Sequence, residues 1–140
     1  MTTTTEHPTF VRAREGFEAL KAGDIEPIMA QTADDIVMVN DLGAGPWREL
    51  RGKDALLEFW FAFAGLFAGT FTQDVLGGWG WDDGVVLLIH EHGTANGVAF
   101  DNRAVYMLIA GPDGRWSELR TMDMDRAHLE QFWTRWTTSL

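Results

Sequence analysis

The sequence predicts a single α+β domain with the order helix, helix, strand, helix, four antiparallel strands and a final helix. In the N-terminal half, apolar residues recur at helical spacing. From Phe71 onward the pattern becomes extended and is punctuated by turn sequences. A chain of 140 residues, 46% of them apolar, can bury one proper core but not two ordinary ones. We therefore expect one curved sheet with helices packed into its concave side.

Two helices are predicted at the start of the domain. Pro8 suits the first turn of a helix, where its missing N–H costs nothing. Gly23 ends this helix, and Asp24 can cap a short second helix that ends at Gln31. The inward face of the first helix is the apolar stripe of Phe10, Ala13, Phe17 and Leu20.

A strand, a loop and a third helix follow. The strand is the short apolar, β-branched run from Ile36 to Val39, and glycine and proline mark residues 42–52 as a loop. The third helix begins at Lys53 or Asp54 and runs to about Phe67. It is apolar on nearly all sides, which predicts that it is buried or feeds a pocket or a dimer contact.

The C-terminal half is predicted to be mainly strands. Asn96-Gly97 is a strong signal for a two-residue type I′ hairpin turn, which pairs Ala95 with Val98. The strands are expected at 70–79, 85–94, 98–110 and 115–124, with a closing helix after Asp125. The hairpin register places His90, His92, Asp101 and Arg103 on one face, and Leu87, Ile89, Glu91, Asn102, Ala104 and Tyr106 on the other.

Charge and composition exclude several classes of function. The net charge is −10 and no basic cluster exists, so nucleic acid and anionic membrane surfaces are not expected partners. The chain has no cysteine, which excludes disulfides and thiolate chemistry. Residues 1–6 form a polar, Thr-rich leader without the apolar core of a signal peptide, so we expect a cytoplasmic protein whose domain spans residues 7–140.

Asp41 is a candidate general base. It follows a buried strand and precedes a Gly-rich turn, so its carboxylate can be aimed into a cavity. In an apolar cavity, desolvation would raise its pKa towards neutrality, which suits a base. The alternative is that Asn40 and Asp41 only cap a turn, as these residues often do.

The four polar residues on one hairpin face also allow two interpretations. They can form the polar wall of a pocket, or they can be cross-strand pairs on a solvated or dimer-facing surface. His90 and His92 are spaced for a metal, but no third ligand stands at a recognised spacing, so no metal site is predicted.

One long segment resembles a known superfamily. The run KAGDIEPIMAQTADDIVMVNDLG, from Lys21 to Gly43, is similar to the opening of NTF2-like proteins. This superfamily includes ketosteroid isomerase, limonene-type epoxide hydrolase and the SnoaL polyketide cyclases. The order of elements and the ending WSELRTMDMDRAHL from Trp116 fit as well, so the resemblance covers the chain from His7 onward. It implies a cone-shaped fold with a curved mixed sheet around three helices and a short C-terminal helix.

The resemblance also assigns residues. Asp41 matches the general base of ketosteroid isomerase, and Tyr106 falls near the position of its second oxyanion donor. The isomerase's helix-one tyrosine falls near Gly16 or Phe17 here, so that donor is missing. The Arg-x-Asp pair of the epoxide hydrolase appears in reverse order as Asp101-Asn-Arg103. Thr121 stands at the position of that enzyme's last-strand aspartate, and Asp123 follows two residues later.

The resemblance therefore implies a cofactor-independent acid–base enzyme of the cyclase or isomerase type, acting on an apolar carbonyl or polyketide-like substrate. A homodimer through the sheet is also implied. The alternatives are a non-catalytic ligand-binding domain, epoxide-hydrolase-like chemistry, or an assembly role for a patch of Trp79, Trp81, Trp133 and Trp136. The predicted catalytic residues are Asp41 and Tyr106, and the predicted substrate-binding residues are Phe17, Asn40, Trp60, Phe63, His90 and Arg103.

Overall fold

The computed structural model describes residues 6–42 and 49–139, and at positions 41–42, 126, 133 and 135–139 it describes the backbone alone. The predicted α+β class is confirmed. The helices are α1 (Pro8–Lys21), α2 (Glu26–Gln31), α3 (Lys53–Gly65) and α4 (Arg126–Ser139). The strands are β1 (Thr32–Leu42), β2 (Glu49–Arg51), β3 (Thr72–Trp81), β4 (Gly84–Ala95), β5 (Val98–Ala110) and β6 (Trp116–Asp123).

The strands form one mixed sheet in the order β2-β1-β6-β5-β4-β3. All neighbouring pairs are antiparallel except β1 and β6, which run parallel. The helices pack on one face, which we call the inner face. A large core cluster joins α1 to the inner face through Phe10 and Phe17, and a second cluster joins α3 and α4 through Phe63, Phe67 and Phe132.

Local chemistry accounts for both ends of α1 and for the reversal of the chain after α3. Pro8 occupies the first turn of α1, and His7 caps the helix by accepting the Thr9 N–H at Nδ1 over 3.2 Å. Gly23 follows α1 with a φ of 91°, which only glycine adopts readily. The helix α3 ends at Gly65, earlier than the predicted Phe67, and two left-handed residues, Ala68 and Gly69, then reverse the chain.

The β4–β5 hairpin has the predicted register. Asn96 and Gly97 have φ values of 50° and 78°, as a type I′ turn requires, and Ala95 pairs with Val98. The pairing continues without a bulge to Gly84 and Ile109. The alternation of side chains between the two faces is therefore fixed along the whole hairpin.

Two strand predictions need correction. The strand predicted from Ile36 to Val39 extends from Thr32 to Leu42, because parallel pairing with β6 holds its polar ends in extended conformation. The predicted loop over 42–52 contains β2, which pairs with Val37–Val39 of β1. Three residues are too few to give a periodic signal, so β2 depends on a long-range partner.

Among the described helices, none is both long and apolar enough to cross a bilayer.

Candidate functional site

A cavity of about 140 Å³ lies between the inner face of the sheet and helices α1, α2 and α3. A water molecule occupies about 30 Å³ in the liquid, so this is space for a small organic molecule rather than for one or two waters. Most of the wall is apolar and includes Phe17, Ile28, Leu56, Trp60 and Phe63. The polar side chains on the wall are those of Gln31, Thr32, Asn40, Lys53, Gln73, Glu91, Tyr106, Thr121 and Asp123.

The strand register brings a row of polar side chains together on the inner face of the sheet, and three of the four line this cavity. Gln73 of β3 lies opposite Glu91 of β4, and Glu91 lies opposite Asn102 of β5. Tyr106 stands four residues beyond Asn102 and so points to the same face. All four side chains are buried, with at most 8% of their surface exposed.

Glu91 is the centre of a hydrogen-bonded network. Its Oε2 accepts a short hydrogen bond from the Tyr106 hydroxyl and a second from Gln73 Nε2 at 2.9 Å. Its Oε1 accepts from Asn102 Nδ2 at 3.0 Å. Gln73 Nε2 also donates to the Tyr106 oxygen at 3.0 Å, so the carboxyl and the phenol share one donor.

Burial controls the protonation of this pair. Desolvation raises the pKa of Glu91, and it outweighs the three hydrogen bonds, which lower it. Desolvation also raises the pKa of Tyr106 well above 10.0, and the neighbouring Glu91 charge raises it further. The phenol is therefore a neutral hydrogen-bond donor at physiological pH, beside a carboxyl group whose pKa is raised by burial.

A second polar contact lies where the parallel strands meet. Thr121 Oγ1 of β6 donates to Asn40 Oδ1 of β1 at 2.5 Å, and both side chains are buried. Asp123 stands further along β6, and its Oδ1 accepts from Asn102 Nδ2 at 3.0 Å. Asn102 therefore links the Glu91 carboxyl to the Asp123 carboxyl through one amide nitrogen.

Two buried acceptors are left over in the network. Within the described part of the chain, no group donates to Gln73 Oε1 or to Asn102 Oδ1. A buried amide oxygen without a donor is costly. Gln73 lines the cavity, so a ligand hydroxyl or a water placed there would satisfy its oxygen.

A family comparison places the chain. The sequence model of the SnoaL-like domain family matches residues 13–131, which is most of the sequence. The chain belongs to the SnoaL-like domain family. Among curated proteins, none is significantly similar to it in sequence.

Solved structures share the fold of this SnoaL-like domain. Bal32a, from a soil-derived mobile gene cassette, is 18% identical with a TM-score of 0.80, over 89% of this chain and 95% of that one. IdmH from Streptomyces antibioticus, to which a polyketide cyclase activity has been ascribed, is 22% identical with a TM-score of 0.71, over 90% and 99%. RV0760c from Mycobacterium tuberculosis, in complex with estradiol-17beta-hemisuccinate, is 19% identical with a TM-score of 0.67, over 86% and 98%.

The structure separates the residues that the sequence singled out in this SnoaL-like domain. Phe17, Asn40, Trp60, Phe63 and Tyr106 all line the cavity. The side chain of Asp41 lies outside the described part of the chain, as do those of Trp133 and Trp136, so only the backbone of Asp41, in β1, is placed.

His90 and Arg103 need correction, because neither lines the cavity. They lie opposite each other on the outer face of the sheet, since the inner face of the hairpin is the one that carries Glu91 and Tyr106. His90 Nε2 contacts Asp101 Oδ1 at 2.7 Å, and Arg103 Nη2 pairs with Asp125 Oδ1 at 3.2 Å. Cross-strand pairs on the outer face are therefore the interpretation that the structure favours for this polar set.

Sequence reasoning gave no role to Glu91, Gln73 or Asn102. The signal was nevertheless present, because the hairpin register already placed Glu91 and Asn102 on the face of Leu87 and Tyr106. A carboxyl group on an otherwise apolar strand face must find partners or change its pKa, which marks a candidate site.

Proposed function

We propose that this SnoaL-like domain is a cofactor-independent acid–base enzyme of the cyclase or isomerase type, acting on an apolar carbonyl or polyketide-like compound. The observation that carries the proposal is the buried Glu91–Tyr106 pair in the wall of a largely apolar cavity. Such a cavity binds a substrate by its hydrocarbon surface and leaves its carbonyl group for the polar row.

The proposed chemistry uses both members of the pair. The Glu91 carboxylate removes a proton from the carbon next to a substrate carbonyl. As Glu91 becomes protonated, the neutral Tyr106 hydroxyl turns from the carboxyl group and donates to the resulting enolate oxygen. In an aldol-type closure the enolate carbon then forms a bond to a second carbonyl carbon. The protonated Glu91 returns its proton to the new alkoxide, so no net proton is consumed.

Asp41 remains a second candidate base within the same proposal. Its backbone lies in β1 one residue beyond Asn40, at a point where the pairing of β1 with β6 shifts register, so simple alternation of side chains does not assign it to the face opposite Asn40. The two candidates predict different effects of mutation. Proton abstraction is lost when the true base is replaced and is kept when the other residue is replaced. Comparing Glu91→Gln with Asp41→Asn decides between them.

Two neighbours of known structure support the ligand class. The ascribed activity of IdmH is polyketide cyclisation, and RV0760c holds a steroid ester. Both facts concern those proteins, and the low identities carry only the fold to this chain. Together with the apolar wall, they favour a multi-ring or ring-forming ligand.

The test is turnover of a panel of β,γ-unsaturated ketones and linear poly-β-ketones by the wild type and both variants. We expect Glu91→Gln to lower kcat by about 10²–10⁴-fold, the usual worth of a general base. If Glu91→Gln keeps wild-type turnover while Asp41→Asn loses it, Asp41 is the base. If the wild type turns over nothing in the panel, the acid–base proposal fails.

A non-catalytic ligand-binding domain is the second candidate. One observation favours it, because Glu91 already accepts three hydrogen bonds from the protein. Binding is measured by quenching of the Trp60 fluorescence in the cavity wall, with Trp60→Phe as the matched control. Saturable quenching without turnover of any substrate would support this alternative.

Epoxide-hydrolase-like chemistry is not proposed. The sequence Asp101-Asn-Arg103 is the segment that corresponds to the Arg-x-Asp pair of the epoxide hydrolase. Its side chains alternate across the sheet, so Asp101 and Arg103 lie on the outer face and only Asn102 faces inward.

We also propose a homodimer formed through the outer face of the sheet. On that face, two adjacent cross-strand rows are largely apolar, with Trp79 opposite Val86 and Val105 opposite Met122. Trp79 is 70% exposed and Met122 is 42% exposed, which is unusual for such large apolar side chains. Light scattering of the wild type should give twice the chain mass, and Trp79→Glu should give the monomer.

A further inference from the structure

The outer face of the sheet has a polar half beside its apolar half. Two rows make up the polar half, with Asp74 of β3 opposite His90 of β4, and Thr72 opposite His92. On the next strand, β5, Arg103 lies opposite His90 and Asp101 lies opposite His92. The rows therefore place two imidazoles between two carboxylates.

The contacts within the polar half run along its diagonals. His92 Nε2 lies 3.0 Å from Asp74 Oδ2, and His90 Nε2 lies 2.7 Å from Asp101 Oδ1. The two imidazole rings are 4.6 Å apart with an angle of 31° between their planes. One potential ligand atom from each of Asp74, His90 and His92 lies within 4.8 Å of the other two.

We propose that Asp74, His90 and His92 form a binding site for one divalent transition-metal ion, with Zn²⁺ as the fitting ion. The sequence supplied two histidines at i and i+2 but no third ligand, and the β3–β4 register supplies it. Two imidazoles and a carboxylate are ligands that Zn²⁺ accepts, and three protein ligands leave a position open for water or for the nearby Asp101.

The geometry requires only side-chain adjustment. Zinc–ligand bonds of 2.0–2.2 Å in a tetrahedron place ligand atoms roughly 3.3 Å apart. The three side chains are 30–39% exposed, so rotation can close the difference from 4.8 Å without moving the strands. Metal binding replaces the hydrogen bond between His92 Nε2 and Asp74 Oδ2.

The charges around the site favour a cation, with one competitor. Asp74 and Asp101 both contribute negative charge, and the Arg103 guanidinium is held by Asp125. The competitor is Lys21, whose ammonium group bonds Asp74 Oδ1 while leaving Oδ2 to His92. Removing that ammonium should therefore tighten metal binding.

The test is calorimetric titration of tag-free protein, stripped of metal with EDTA and desalted, with ZnCl₂ at pH 7.5. We expect one Zn²⁺ per chain in the wild type. Asp74→Asn and His92→Asn should each weaken binding by at least about tenfold, and Lys21→Met should strengthen it. Binding should weaken on acidification, because Zn²⁺ ligation requires deprotonated ligands.

Matched controls make the result decisive. His7 also contacts a carboxylate, that of Asp82 at 3.1 Å, but it is outside the Asp74–His90–His92 cluster. His7→Asn should therefore bind Zn²⁺ as the wild type does. Glu91→Gln should also bind normally, because the cavity lies on the opposite face. Co²⁺ absorption in the visible range, with circular dichroism as a check of folding, reports ligation independently of heat.

The proposal is overturned if the wild type shows no saturable binding, or if Asp74→Asn and His92→Asn titrate as the wild type does. Neither result affects the acid–base proposal for the inner face, which is tested by turnover.

Discussion

Glu91 and Asn102 lie directly opposite each other on β4 and β5, and the Asn102 amide holds the Glu91 carboxyl at 3.0 Å. The same amide nitrogen holds Asp123, so one neutral side chain separates two acidic groups that both line the cavity. An acidic or apolar residue in place of Asn102 would leave the two carboxyls facing each other without a shared donor.

Replacing Asn102 by alanine should therefore destabilise the fold. We expect the free energy of unfolding to fall by about 1–3 kcal/mol, the cost of leaving buried acceptors without their donor. Urea denaturation measures the change. Asp101→Ala, the neighbour on the exposed face, should change it by less than about 0.5 kcal/mol. Equal effects of the two substitutions would contradict the role assigned to Asn102.

Stability should depend on pH through Glu91. Its pKa in the folded state is raised above the ordinary 4.5, so the folded protein binds the proton more tightly than the unfolded chain does. The stabilisation is complete below pH 4.5 and is lost as the pH rises through the folded pKa. Denaturation at a series of pH values should show this negative slope in the wild type and a smaller one in Glu91→Gln.

A Tyr106→Phe variant should change the titration of Glu91 and lower activity. The lost hydroxyl donates to the Glu91 carboxylate and so lowers its pKa, which means that the pKa should rise further in the variant. Carbon NMR of the labelled carboxyl measures this shift. For a ketone substrate, kcat should fall by about 10²–10³-fold, as for the loss of an oxyanion donor. An unchanged pKa would contradict the observed contact.

A side chain at Gly97 should destabilise the hairpin turn. Its φ of 78° is left-handed, so Gly97→Ala should destabilise the fold by about 1–2 kcal/mol. Gly65→Ala is the matched control, because it lies at the end of α3 with no atom within 4 Å of the added methyl. It should stabilise the fold by about 0.5–1 kcal/mol. Thermal unfolding distinguishes the opposite signs.

The sequence predicted well where local chemistry decides the structure. The Asn96-Gly97 turn fixed the pairing of β4 with β5, and that pairing alone separated the face of Glu91 from the face of His90. Apolar periodicity predicted α1 and α3, and turn residues predicted the strand ends. These signals lie within a few residues of the structure that they specify.

The sequence predicted poorly where distant segments decide the structure. The strand β2 exists only through β1, and the third ligand of the proposed metal site comes from β3, whose bulge after Val75 no local pattern announces. His90 and Arg103 were placed at the cavity because the sequence does not say which face of the hairpin the helices cover. That choice depends on the packing of Phe10 and Phe17 against β4 and β5.

The parallel pair β1 and β6 has a consequence for how the protein is made. Residues 32–42 pair with residues 116–123, and β2 joins the sheet only through β1. The first strand therefore has no place in the main sheet until the ribosome has delivered the last one. The Asn40–Thr121 contact spans this junction, so the wall of the cavity is completed only after residue 121 has been synthesised. A chain truncated after β5 would expose the apolar side of β1 and become a substrate for chaperones and proteases.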